Sequence, residues 1–241
     1  LDALEHAYEV MGGEVPEDWK TVRADLLIQT GRLDEAERAI DAIGEEVYAT
    51  TARGRLALAR GEPAKALELL EQGIRLWPDG TLARYLAAQA AEQLGDFERA
   101  ESEYREAYRS DQAYTDAGLQ LAALLASRGL PAEALKLATG HLQAKPDEAT
   151  TEADAAGYEQ AIDYAIAAKD PEYGRNILAH YQSLPKLRVR AGAYAIRHLL
   201  REKRLKDAGM LADGIQTDLS LPESFPLLEA RCEVDVARGR T

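Results

Sequence analysis

A short turn motif recurs along this chain at a nearly constant spacing, and that regularity constrains the fold more than any other feature. The motif starts with glycine and has alanine five residues later. It occurs as "GRLDEA" (31–36), "GEPAKA" (61–66), "GDFERA" (95–100) and "GLPAEA" (129–134), so its glycines are almost evenly spaced. A nearly fixed period of this length predicts an array of stacked supersecondary units.

Two weaker copies of the motif follow, "KDPEYG" (169–174) and "KRLKDA" (203–208), with lysine in place of the turn glycine. They are separated by the same interval as Gly95 and Gly129. The step from Gly129 to Lys169 is longer than that interval by six positions, and the excess falls near "KPDEATTEA" (145–153). This excess predicts either a longer loop or a seam where a superhelix changes pitch.

Each part of the motif has a physical reason in a helical hairpin. Glycine accepts the left-handed conformation that ends a helix. The prolines that follow, such as Pro63 and Pro131, suit the first turn of the next helix. The small residue five positions later allows two antiparallel helices to approach closely. Apolar residues recur between the turns at three- and four-residue spacing, and Ala and Leu dominate the composition, so the chain is predicted to be almost entirely helical.

The repeat resembles the tetratricopeptide repeat family. The stretch "AAEQLGDFERAESEYREAY" (90–108) matches the family pattern at Gly95, Asp96, Phe97, Ala100, Tyr104 and Ala107. The match is strong for residues 17–147, whereas residues 148–241 match mainly by repeat length. The resemblance implies an all-α, right-handed α-solenoid of antiparallel helix pairs, with about six repeats and partial repeats at both ends.

The repeat boundaries follow from the turn positions. A first array over residues 1–147 is predicted to contain a partial repeat and four full ones, at 1–16, 17–46, 47–80, 81–114 and 115–147. A degenerate continuation over residues 148–241 is predicted at 153–186, 187–222 and 223–241. Both ends fall inside a repeat, and "LDALEHAYEVMGGE" (1–14) matches the second helix in "LDEAERAIDAIGEE" (33–46) at six positions. We therefore expect a segment of a longer solenoid.

In the tetratricopeptide repeat family, the first helix of every unit lines a concave surface that binds partners. Carried onto this sequence, the family's groove positions are Asp18, Thr21, Asp25, Tyr48, Arg55, Tyr85, Gln89, Glu92, Asp116, Glu159, Asp163, Arg190, Arg197 and Arg201. This mixture of charged, polar and aromatic groups suits an extended peptide or a partner's helix better than a small molecule. Family members that bind a terminal carboxylate use Lys and Asn, where this chain has Thr21 and Asp25, so that specialisation is disfavoured.

Charge is unevenly distributed over the sequence. The net charge is -13, which argues against general binding to nucleic acids or anionic membranes. Residues 186–206, in contrast, hold eight basic side chains and one acidic one. Two interpretations stay open for this segment: solvated helix faces, or a docking site for an acidic segment or an anionic polymer.

The sequence contains no pattern that indicates catalysis. Its four histidines lack paired metal-ligand spacing, and no phosphate-binding glycine loop or nucleophile elbow is present, so we expect no enzyme activity, cofactor or metal in this segment. The single cysteine, Cys232, lies where other repeats have a small buried residue and is expected to be a buried spacer. Trp19 and Trp77 are expected to seal helix junctions. No apolar run approaches the length of a membrane span.

The sequence therefore favours a non-catalytic scaffold for protein partners. Resemblance to long bacterial arrays places such a scaffold in envelope machinery such as exopolysaccharide export, in the cytoplasm or, for an export system, the periplasm. The alternative is a targeting or substrate-recognition arm of an enzyme, such as a glycosyl- or sulfotransferase, whose catalytic domain lies outside this segment. RNA binding by pentatricopeptide-like repeats is disfavoured by the acidic charge.

Overall fold

The computed structural model describes residues 6, 8, 15–215 and 224–239, and these residues form helices joined by short links, without a strand. The helices are α1 (Glu17–Gln29), α2 (Leu33–Asp41), α3 (Glu46–Ala59), α4 (Pro63–Leu76), α5 (Thr81–Gln93), α6 (Phe97–Ser110), α7 (Ala117–Ser127), α8 (Pro131–Gln143), α9 (Ala155–Ala167), α10 (Pro171–Ser183), α11 (Arg188–Arg201), α12 (Leu205–Gly214) and α13 (Phe225–Ala237). The predicted all-α fold is confirmed. The interpretation of residues 1–14 as a second helix lies almost wholly outside the described residues.

The chain forms two compact units, residues 1–121 (unit 1) and residues 122–241 (unit 2). In unit 1, three hairpins form from α1 with α2, α3 with α4, and α5 with α6. The first helices of these hairpins, α1, α3 and α5, also contact one another in sequence order. They therefore form one layer, and the second helices pack behind it.

Unit 2 is built in the same manner. Its helices contact their neighbours in chain order from α8 to α13, and α11 also contacts both α9 and α13. A layer of α9, α11 and α13 results. The buried residues Ala193, Ile196, Leu227, Ala230 and Val234 join this layer to α12.

The turns that define the repeat have the geometry expected from the sequence. The backbone φ angle is 74° at Gly31 and 77° at Gly95, and it is also positive at Lys169 (64°) and Lys203 (61°). After Lys169, the backbone N–H of Asp170 donates to the carbonyl of Ala165 at 2.8 Å, and this bond closes the end of α9. The two lysines thus take the conformational place of glycine, although their Cβ atoms make that conformation costly.

The small residues five positions after the turn residues are buried. Ala36, Ala66, Ala100, Ala134 and Ala208 are all fully buried. In the first helix of the second hairpin, a Cβ on Gly54 would meet Leu70 of α4 at 2.6 Å. Since real Cβ contacts are not that short, glycine at residue 54 sets the separation of α3 and α4.

The six-residue excess in the period forms two short 3-10 turns, Asp147–Ala149 and Glu152–Asp154. Asp154 holds the second turn in place: its carboxylate accepts from Lys145 Nζ at 2.6 Å and from the backbone N–H of Thr151 at 2.8 Å. The Asp154 side chain is only 4% exposed. Burial by itself raises the pKa of this carboxyl, but the bonds from Lys145 and Thr151 outweigh burial and lower it.

The prediction that Cys232 is a buried spacer is wrong, because its side chain is exposed. Cys232 precedes Gly239 by seven residues, as Gly54 precedes Gly61. In the earlier hairpin, Leu70 of the following helix covers that position. No helix follows α13 within the described residues, so the corresponding face of α13 has no neighbour there.

Candidate functional site

A cavity of about 590 Å³ opens in unit 1 along the layer of first helices. We call it the unit-1 cavity. Residues of α1 and α3, the first residues of α5 and the links before α5 and α7 line it. Five predicted groove residues are among the lining: Asp18, Thr21, Asp25, Tyr48 and Arg55. Its volume falls within the range of about 300–1,000 Å³ that is usual for ligand pockets.

The floor of the unit-1 cavity is largely apolar. Val47, Ala52, Leu82 and Ala83 contribute aliphatic surface. The aromatic ring of Tyr48 meets that of Trp77 edge to face, with centroids 6.4 Å apart and an interplanar angle of 87°. Trp77 is 49% exposed and Tyr114, in the link before α7, is 65% exposed. Exposed aromatic side chains beside an apolar floor are typical of a surface that binds another molecule.

One ion pair lies in the cavity wall between α1 and α3. Arg55 Nη1 is 2.7 Å from Asp25 Oδ2, and both side chains are about three-quarters covered. Burial raises the pKa of the Asp25 carboxyl, and the Arg55 guanidinium opposes that rise. The pair neutralises both charges, so Arg55 does not offer an open cationic site.

Two links position the aromatic rim. In the link before α5, Arg84 Nε donates to the carbonyl of Pro78 at 2.8 Å and holds the segment that carries Trp77. In the link before α7, Asp111 Oδ1 accepts from the backbone N–H groups of Ala113 and Tyr114 at 2.9 and 3.0 Å. These local hydrogen bonds favour a defined placement of the two rings.

The lining of the unit-1 cavity is negatively charged. Three further carboxylates line it, on Asp18, Asp79 and Asp111, and all three residues are exposed. Over the ranges that the structure describes, none of the three lies within ion-pair distance of a basic side chain. With Asp25 and Arg55 cancelling, the lining carries three negative charges in excess.

Four more predicted groove residues lie further along α5 and at the start of α7: Tyr85, Gln89, Glu92 and Asp116. Tyr85 is packed against Tyr104, with ring centroids 5.8 Å apart. The Tyr104 hydroxyl donates a hydrogen bond to the Glu92 carboxylate at 2.6 Å. Burial raises the pKa of Tyr85, and the nearby Asp116 carboxylate raises it further. Tyr85 and Glu92 therefore belong to a packed, hydrogen-bonded wall.

The remaining predicted residues lie in unit 2. Glu159, Asp163, Arg197 and Arg201 line a second, more open cavity of about 730 Å³ between α9, α11 and α13. Its charges are paired within the unit. The nitrogen–oxygen distances are 3.0 Å for Arg190 with Glu159, 3.0 Å for Arg197 with both Glu229 and Glu233, and 3.7 Å for Arg201 with Asp163. Arg190, Arg197 and Arg201 thus face carboxylates of neighbouring helices.

The structure also shows lining residues that the sequence analysis missed. Trp77 was expected to seal a junction, but it lines the unit-1 cavity together with Val22, Asp79, Asp111 and Tyr114. Four of these five follow the second helix of a repeat, outside the first-helix positions that the family pattern supplies. An aromatic and an aspartate in each of two successive links, "WPDG" (77–80) and "DQAY" (111–114), were the signal that could have found them.

Within the described part of the chain, no group of three or more His, Cys, Asp and Glu side chains is arranged to hold a metal ion. None of the described helices combines the length and the apolar character needed to cross a bilayer.

Comparison with known proteins agrees with the repeat pattern. Two family models, each described as a tetratricopeptide repeat, match residues 51–115 and residues 20–42. A search of curated proteins gave no significant match.

Solved structures of similar fold were found. MamA 41-end from Desulfovibrio magneticus RS-1 is 17% identical, with 82% of this chain and 98% of that one covered and a TM-score of 0.53. A tetratricopeptide repeat protein from Parabacteroides merdae ATCC 43184 is 15% identical, with 97% and 90% covered and a TM-score of 0.52. The structure of Naa15/Naa10 bound to HypK-THB is 13% identical, with 92% of this chain but 34% of that chain covered and a TM-score of 0.53. At such identities these likenesses concern the fold alone.

Proposed function

We propose that this chain, which belongs to the tetratricopeptide repeat family, is a non-catalytic scaffold that binds an extended segment of a protein partner in the unit-1 cavity. The observation that carries the proposal is the pairing of an apolar floor with the exposed rings of Trp77 and Tyr114 on the first-helix layer. Protein binding by stacked hairpins is the common use of this family. One of the structures of similar fold, Naa15/Naa10 bound to HypK-THB, is itself a complex.

The form of the cavity favours a peptide over a small metabolite. Its lining extends over three helices and two links, and its charged groups are distributed over α1, α3 and both links. Small-molecule sites more often enclose their ligand and fix it with a few converging groups. A peptide can place one or two apolar side chains on the floor while its backbone follows the rim.

The test is a selection from a random ten-residue peptide display library on the 241-residue chain, followed by affinity measurements on the selected peptides. We expect Trp77→Ala and Tyr48→Ala each to weaken binding about tenfold or more, as loss of an aromatic anchor does at interfaces. The matched control is Phe97→Ala, which removes an exposed aromatic from the start of α6. Equal affinities for the three variants and the wild type would exclude the unit-1 cavity as the binding site.

The cellular setting is a finer proposal, and it depends on resemblance alone. We place the scaffold in the assembly of a bacterial envelope complex, with exopolysaccharide export as the favoured case. The alternative is the targeting arm of an enzyme fused outside these residues. Affinity capture of the natural full-length protein, with wild type and Trp77→Ala compared, distinguishes the two: an arm brings a catalytic domain in the same polypeptide, whereas a scaffold captures separate subunits.

For the basic segment 186–206, the ion pairs of unit 2 favour the interpretation as compensated helix faces. Arg190, Arg197 and Arg201 each lie within ion-pair distance of a carboxylate of another helix. An incoming anionic polymer would have to displace those carboxylates. We therefore assign these three arginines to the stability of unit 2 and place partner binding in unit 1.

A further inference from the structure

We infer that the unit-1 cavity selects a peptide segment in which a lysine or arginine lies next to a large apolar side chain. This inference depends on the proposed function, since it names the class of partner segment that the same site takes. It follows from two properties of the lining, an apolar floor and an uncompensated acidic rim, that occur together in one cavity.

The floor of the unit-1 cavity favours the large apolar side chain of the peptide. Val47, Ala52, Leu82 and Ala83 present aliphatic surface, and Tyr48 and Trp77 close one end with an edge-to-face contact. A large aliphatic or aromatic side chain placed there removes apolar surface on both molecules from water. A short or polar side chain would leave the rings exposed as they are in the free chain.

The rim of the unit-1 cavity favours the lysine or arginine of the peptide. Asp79 and Asp111 lie on the same two links that carry Trp77 and Tyr114, so a carboxylate accompanies each exposed ring. Asp18 adds a third carboxylate from the first turn of α1. A cationic group in the cavity therefore meets three negative charges that, among the described residues, no basic side chain balances. An aromatic face beside a carboxylate also suits the guanidinium group of arginine, which stacks and forms ion pairs.

The same electrostatics exclude the opposite class of partner. Among the described residues that line the cavity, Arg55 is the one basic residue. Its guanidinium group is paired with the Asp25 carboxylate at 2.7 Å. A segment with Glu or Asp, or a terminal carboxylate, would approach the acidic rim without a cation to receive it. The acidic rim thus supplies repulsion as well as attraction, which is how interfaces reject wrong partners.

The experiment uses the peptides selected from the random display library on the full chain. Each selected peptide is resynthesised with a fluorescent label in three forms: as selected, with its Lys and Arg changed to Gln, and with its large apolar residues changed to Ser. Affinities are measured by fluorescence anisotropy at 50 mM and 500 mM salt. We expect the selected peptides to be enriched in Lys or Arg next to a large apolar residue, and both altered forms to bind at least tenfold more weakly at 50 mM.

The protein variants test the rim directly. In the triple variant Asp18→Asn, Asp79→Asn and Asp111→Asn, the side-chain oxygen at residue 111 can still accept from the backbone of Ala113 and Tyr114. We expect it to bind the selected peptide about threefold or more weakly at 50 mM salt, because exposed ion pairs contribute about 1.4- to fivefold each. The difference should shrink at 500 mM, where charges are screened within a few ångströms.

The control removes three exposed carboxylates from second helices and should not change the affinity: Glu68→Gln, Glu98→Gln and Glu133→Gln. Selected peptides that are neutral or acidic, but still need Trp77, would overturn the inference and leave the proposed function standing. Equal binding by peptides with basic residues and no apolar ones would also overturn it, because charge alone would then suffice. Binding that is indifferent to Trp77→Ala and Tyr48→Ala would instead refute the proposed site.

Discussion

The two turn lysines provide the sharpest test of how this sequence forms its repeats. Lys169 and Lys203 have φ angles of 64° and 61°, in the left-handed region that the other turns fill with glycine. In that region the Cβ of an L-residue crowds the following carbonyl oxygen, so each lysine should carry the usual cost, about 1–2 kcal/mol. Replacement by glycine removes that cost. It also stabilises the unfolded chain by about 0.4–1 kcal/mol, because glycine gives that chain more conformational entropy.

The net gain is therefore about 0.5–1 kcal/mol for each of Lys169→Gly and Lys203→Gly, and about 1–2 kcal/mol for the double variant. The two turns follow different helices, α9 and α11, so the gains should be nearly additive. The assay is urea unfolding followed by far-UV circular dichroism, in which both variants should unfold at a higher midpoint with an unchanged slope.

The matched control is Lys136→Gly, an exposed lysine in the middle of α8. Glycine there should lower the free energy of unfolding by about 1 kcal/mol, because helix propensity falls. If Lys169→Gly and Lys203→Gly were destabilising to the same degree as Lys136→Gly, the left-handed turn geometry at these residues would be refuted.

Three further predictions concern packing, pH and charge. Gly54→Ala should lower the free energy of unfolding by about 1 kcal/mol despite better helix propensity, since the new Cβ would lie 2.6 Å from Leu70. The control is Gly214→Ala, because Gly214 has open space around it. In the same urea titration this variant should be as stable as wild type or slightly more stable. Asp154→Asn should cost about 2 kcal/mol near pH 7. The pKa of Asp154 is lower in the folded chain than in the unfolded chain, where it is about 3.9. The stabilisation by the Asp154 carboxylate is therefore present above about pH 3.9 and is lost as the pH falls through the folded pKa, so the free energies of unfolding of wild type and variant should converge below about pH 4. Parallel curves of stability against pH in that range would contradict this. The triple reversal Arg190→Glu, Arg197→Glu and Arg201→Glu should lower the midpoint of thermal unfolding and leave the binding of labelled poly-glutamate as weak as in wild type; strong wild-type binding that the reversal abolishes would restore the anionic-polymer interpretation.

The fold was largely predictable because its determinants are local. A turn glycine and an alanine five residues later specify a helix end and a close helix contact, and Ala36, Ala66, Ala100 and Ala134 are indeed fully buried. Even the lysine turns were found, since the repeat length identified them where the letters did not. The division of the chain into individual repeats remains a prediction. The burial of Cys232 was predicted wrongly, because burial depends on a neighbouring helix and sequence position alone does not supply one.

The candidate site was less predictable because it depends on more than the first helices. Asp18, Thr21, Asp25, Tyr48 and Arg55 do line one cavity. The links that carry Trp77 and Tyr114 differ in sequence and are shaped by their own hydrogen bonds, such as those to Asp111. Pairing of the unit-2 arginines also escaped prediction. Their partner carboxylates lie on other helices, about one repeat away in the sequence.

Amide hydrogen exchange of the full chain, with and without a peptide selected from the display library, tests the central claim most directly. We expect slower exchange in the first residues of α1, α3 and α5 and in the links 77–80 and 111–114, with little change in α2, α4 and α6. Protection confined to α2, α4 and α6, or to unit 2, would contradict it.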